Sequence, residues 1–89
     1  MSNILKSGTI PADGFIVVDI STNNFPCSAW IDSVAGGRKI EVSQSGAVNA
    51  WKTPAAYDID TTAEIGYAML APIRKVKFTG TPGDVWGVL

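Results

Sequence analysis

Few residues in this chain are of a type and spacing that could do chemistry. Asp58-Ile59-Asp60, followed by Glu64, is the one group of carboxylates close in sequence. In an extended segment alternate residues face the same way, so Asp58 and Asp60 could offer oxygen ligands to Ca2+. The EF-hand pattern fails here, because the central glycine and the later ligands are missing. A solvated acidic loop is the plainer reading. Asp19 and Asp32 could serve as paired carboxylates for glycoside cleavage only if they shared a cleft, and nothing in the sequence places them together. The single cysteine, Cys27, sits in a strand-like run and reads as a small buried hydrophobe rather than a nucleophile. There is no histidine, which removes the commonest general base and the commonest transition-metal ligand at once. Gly36-Gly37 precedes a strand rather than a helix, so it marks a turn and not a phosphate cradle. The expectation is a protein without catalysis, metal or cofactor.

Aromatic and basic residues leave two binding readings. Trp30, Trp51 and Trp86, with Tyr57, could include exposed platforms of the kind that stack on sugars in carbohydrate-binding modules. Tryptophan is also the side chain most enriched at the energetic centre of protein interfaces. Core packing is the competing role, and two of the three could be taken up by it. Arg74, Lys75 and Lys77 form a short basic cluster on one strand. Such a cluster fits a solvated strand that resists mispairing better than a nucleic-acid site.

The elements that must position these residues are short strands. Asp13-Gly14, Asn23-Asn24, Gly36-Gly37, Ser45-Gly46 and Pro82-Gly83-Asp84 punctuate runs rich in β-branched and aromatic residues. Turn signals at that spacing predict an all-β protein, a small antiparallel β-sandwich of seven or eight strands with jelly-roll or immunoglobulin-like character. Strands are predicted over Leu5–Ile10, Phe15–Ile20, Cys27–Ser33, Arg38–Ser43 and Ala47–Trp51. FIVVDI, the most apolar run, is expected at the centre of a sheet, with Ile16, Val18 and Ile20 on one face. Thr61–Ala71 carries a capping-box spacing, Thr61-x-x-Glu64, but Gly66 and the alternation of Ile65, Tyr67 and Met69 favour a strand over a helical turn. KVKFTGTPGDVWGVL, Lys75–Leu89, reads as a β-hairpin in which Trp86 and Val88 lie beside Phe78 and Val76. Val85, Gly87 and Leu89 make the other face of its last strand apolar too, so that strand calls for cover on both sides.

Length and composition bound the rest. Eighty-nine residues make one domain, 1–89, with no linker or repeat, and a chain of this size buries only about 60–65% of its unfolded surface. No internal disulfide is possible with one cysteine. Charged residues are 17% of the chain, against about 25% in an ordinary soluble domain, and mean hydropathy is positive. A net charge of −1 supplies no field to attract nucleic acid or an anionic membrane, so neither is an expected partner. MSNILKSGTI lacks the pattern of a signal peptide, and no run approaches a membrane span. Ser, Thr, Asn and Gly can carry surface polarity in place of charge; the sharper reading of so low a charge on so small a domain is that part of its surface is covered by other chains.

APIRKVKFTGTPGDVWGVL, Ala71–Leu89, resembles the endings of small bacteriophage virion proteins, in which a Pro-aliphatic-x-x-Val-x-Phe-Thr strand meets a Gly-rich turn and a last β-strand. The resemblance covers about the last quarter of the chain and carries over no catalytic or binding residue. It implies a capsid decoration, head-fibre or tail-associated protein, made in the host cytoplasm and residing in the virion. Such a protein would be present as trimers or rings and bound to a major capsid or tail protein. On this reading Trp86, Val88, Leu89, Trp30 and Trp51 form the interface and Met1–Ser7 acts as an arm. A charged residue in place of Trp86 or Leu89 should then weaken assembly, read as solution mass by light scattering, more than it weakens the isolated fold.

Overall fold

The computed structural model describes residues 3–32 and 37–89. Eight strands form: β1 (Lys6–Thr9), β2 (Phe15–Asp19), β3 (Cys27–Asp32), β4 (Lys39–Ser43), β5 (Ile59–Asp60), β6 (Glu64–Met69), β7 (Lys75–Thr79) and β8 (Val85–Val88). All pairings are antiparallel, and no helix occurs among the described residues. A five-stranded sheet in the order β1-β8-β3-β6-β5 packs on a three-stranded sheet in the order β2-β7-β4. The architecture is a small β-sandwich.

Period-two alternation decides which residues fill the space between the sheets. Ile20, Ile31, Ile40, Val76, Phe78 and Val88 are fully buried, and Ile16 is partly buried against them. Their neighbours Phe15, Val17, Ser28 and Asp32 face outward. Burying a side chain of this class contributes about 1.5–3 kcal/mol, which is how a thin core holds two sheets together. Phe78 on β7 and Trp86 on β8 stack across the two layers with ring centroids 5.4 Å apart.

That stack corrects the expected hairpin. β7 and β8 lie in different sheets: Thr79 pairs with Phe15 and Lys39, whereas Val85 pairs with Thr9 and Asp32. Gly80–Asp84 is a corner between layers. Gly80 N–H donates to Gly14 O (3.0 Å) on one side, while Gly83 N–H donates to Ile10 O and Ile10 N–H to Asp84 O (both 2.8 Å) on the other. Asp84 Oδ2 accepts from Thr81 N–H, and Gly83 takes a φ of +96° that a side chain would resist. The corner thus clasps the β1–β2 connection, which crosses between the same sheets. β8 is flanked by β1 and β3, so its edges are both satisfied and it is not an exposed ending.

Three further expectations are corrected. β2 is an edge strand, and β7 is the centre of the smaller sheet. Ala47–Trp51 is a loop that returns to the sheet only at the single bridge Val42–Lys52. The N-terminal segment is no free arm: Lys6 and Ser7 pair with Val88 and Gly87, and Asn3 exchanges hydrogen bonds with the backbone of Asn24. Met1, Ser2, the Ser33 end of the third predicted strand and Gly36 of the predicted turn lie outside the described residues. The Thr61 spacing serves a turn, not a helix, with Thr61 Oγ1 accepting from Glu64 N–H (2.9 Å) between β5 and β6.

The outer edge of β4 is closed by groups from distant parts of the chain. Tyr57 Oη accepts from Ile40 N–H (3.1 Å) and donates to Ile40 O (3.3 Å). Val42 exchanges both backbone hydrogen bonds with Lys52 (2.9 Å each). Tyr57→Phe strands two partly buried backbone groups, so it should cost about 1–3 kcal/mol in urea unfolding while leaving the slope of the transition unchanged.

Candidate functional site

The outer face of the five-stranded sheet is where exposed apolar surface and an aromatic ring coincide. The registers align Ser7, Gly87, Trp30, Gly66 and Ile59 in one row across all five strands. Trp30 therefore stands between two glycines. Its ring leans over Gly87, where a β-carbon would collide with it, and Ile59 leans over Gly66, where a β-carbon would lie 3.4 Å away. Between Trp30 and Ile59 runs a groove of about 290 Å3, floored by Gly66 and Ala68. Val85, Leu89 and Ile59 remain about half exposed on or beside this face.

The electrostatics of the face are one-signed. β3, β5, β6 and β8 contain no lysine or arginine. Asp32 and Glu64 are direct cross-strand neighbours at one end of it. Hydrogen bonding between the two carboxyl groups, with desolvation and like charge added, raises the Glu64 pKa above its ordinary value. Asp58 closes the other end, its Oδ2 accepting from Ala68 N–H (2.6 Å) and so extending the ladder past the two-residue β5.

The five residues expected to form an interface are not brought together. Trp86 and Val88 are buried within the chain's own core, so a charge at Trp86 would enter apolar surroundings and unfold the protein. Trp30 and Leu89 share the outer face of the larger sheet. Trp51 lies by the opposite layer, where Lys77 Nζ sits 5.9 Å from its ring centroid and 5.1 Å from that of Phe15. Tyr57 is occupied at the β4 edge. Asp19 and Asp32 belong to different sheets and share no cleft. Burial raises the Cys27 pKa, away from reactivity. Among the described residues no three of His, Cys, Asp and Glu are placed to hold a metal ion.

The sequence contains the two glycines and the tryptophan, but their alignment depends on pairing between residues 30, 66 and 87, which no local pattern carries. No protein family, no curated protein and no solved structure matches the chain. Gly87→Ala should displace the Trp30 ring from the sheet and cost about 1–3 kcal/mol, checked by denaturation and by a shift of the Trp30 indole N–H resonance.

Proposed function

We propose that this chain is a non-catalytic structural subunit that works by packing against other protein chains through the outer face of its five-stranded sheet. The observation that carries the reading is the Trp30 row. A partly buried indole is held flat by a neighbouring glycine, beside an open apolar groove and the half-exposed Ile59, Val85 and Leu89. A rigid aromatic anchor with little rotamer freedom left to lose is the kind of group that dominates interfaces. The low charge of the chain supports the same reading.

The setting we infer is a bacteriophage virion, with copies of the chain bound to one another and to a larger capsid or tail protein. This rests on the likeness of Ala71–Leu89 to small virion proteins. That segment does not form the hairpin expected of it, so the support lies in the residues and not in their local structure. Binding to neighbours would add to the apparent stability of a domain with so thin a core.

A second reading has one observation in its favour. The Trp30 ring lies along the sheet with Ser28, Asp58 and Glu64 around the groove, an arrangement that suits a sugar ring stacked on the indole. The same residue separates the two readings. In the packing reading, light scattering gives a mass above the single-chain 9.4 kDa that rises with concentration, and Trp30→Glu lowers it without changing the circular dichroism. In the sugar reading, glycan-array binding is lost in Trp30→Ala with the fold intact. A concentration-dependent mass that Trp30→Glu leaves unchanged would sink packing through this face.

A further inference from the structure

We infer that β2 is a docking edge for a second copy of this chain, and that two copies join their three-stranded sheets into one six-stranded sheet about a two-fold axis at Val17. The site is separate from the Trp30 face.

The phase of the β2–β7 ladder is fixed by its ends. Gly80 N–H donates to Gly14 O, and Ile20 N–H donates to Arg74 O (2.9 Å). With the register Ile16–Phe78 and Val18–Val76, the even residues bond to β7. Phe15, Val17 and Asp19 therefore turn their N–H and C=O groups away from the sheet, and no backbone partner meets them among the described residues. Their side chains are exposed, Phe15 at 43% and Val17 at 44%.

The other long edges are treated differently. At β4 the outward groups of Ile40 and Val42 are taken by the Tyr57 hydroxyl and the Lys52 backbone. At β6 they are taken by β5 and by the Asp58 carboxylate. β1 is open but is four residues long, KSGT, with no apolar side chain. β2 is five residues, FIVVD, with no lysine, proline or plug. An unprotected apolar edge is a template for another strand.

The occupant follows from self-complementarity. An antiparallel pairing that uses all three outward residues sets Val17 opposite Val17 of the second copy, and each Phe15 opposite the second copy's Asp19. Lys77 Nζ already lies 5.1 Å from the Phe15 ring centroid. The second copy's carboxylate would thus arrive beside a cation, and the same contact repeats across the axis. Asp19 uses Oδ1 to accept from both N–H and Oγ–H of Ser21, which fixes the carboxylate for this role. Two like copies are the simplest closed solution for such an edge.

Proline tests this without touching the chain's own ladder. Val17 N–H points outward, so Val17→Pro removes a donor used only between copies. Trp30→Glu removes association through the other face, so sedimentation and light scattering of the full chain carrying that change, up to about 1 mM, should show a dimer that dissociates on dilution. Adding Val17→Pro to that chain should bring it to the single-chain mass with an unchanged far-ultraviolet spectrum. Hydrogen exchange of the unmodified chain covers the case in which Val17→Pro fails to fold. The amides of Phe15 and Val17 should be protected at high concentration and exchange freely on dilution. A single-chain mass of the Trp30→Glu chain at every concentration, a dimer of it that survives Val17→Pro, or Phe15 and Val17 amides insensitive to concentration would overturn the proposal.

Discussion

The stack of Phe78 on Trp86 is the constraint on which the rest of the sandwich hangs. It joins the central strand of the smaller sheet to the second strand of the larger one, at a centroid separation of 5.4 Å and an interplanar angle of 22°. The two residues are only eight apart in sequence, yet they belong to opposite layers. That is possible because Gly80–Asp84 turns a full corner and is held there by Gly14 and Ile10. With the stack in place, β7 and β8 each have both edges free to pair. β2 and β4 flank β7; β1 and β3 flank β8. A hairpin would have used one edge of each and left Phe78 and Trp86 side by side in a single layer. Trp86 also crowds its cross-strand partner in the same sheet, since a β-carbon on Gly8 of β1 would approach its ring to 3.1 Å.

Much of the inward face could be read from the chain. Alternation put Ile16, Val18 and Ile20 on one face, and that face is buried or partly so; the same period runs through Ala29 and Ile31, Ile40 and Val42, and Val76 and Phe78, all of them buried. The choice of strand over helix at Glu64–Met69 likewise followed from Gly66 and the period of Ile65, Tyr67 and Met69. What alternation does not encode is the neighbour. It reports the face a residue takes, not which strand lies beside it, so the placement of β2, β7 and β8 was misread. Ala47–Trp51 misled for a different reason. Its residues are compatible with a strand, but Val48 points to solvent at 84% exposure, and the segment has no sheet to join until Lys52. The candidate site was half legible: Trp30 and Leu89 stood out by type, whereas Gly66 and Gly87 acquire meaning only beside Trp30.

The surface that results is divided by layer. The larger sheet turns an apolar, acid-rimmed face outward, with Trp30 at its middle. The smaller sheet turns out Lys39, Lys75 and Lys77 with Asp19 and Glu41 among them, and holds one lysine between two aromatic rings. A net charge of −1 conceals this separation. The two faces and the bare β2 edge offer contacts of different character in different directions, which suits a subunit with more than one kind of neighbour.

The position of β8 has a consequence for the order of folding events. β8 enters the larger sheet between β1 and β3, although both precede it by more than fifty residues. Before it arrives, β1 has no partner strand, and the face that will receive Trp86 and Val88 is open to water. Ordering therefore waits on closure of a long loop, whose entropic cost falls due before most of the apolar burial is gained. The barrier to folding should be dominated by that step, and the two layers should form and melt together, with no half of the sandwich able to stand as a partly folded state.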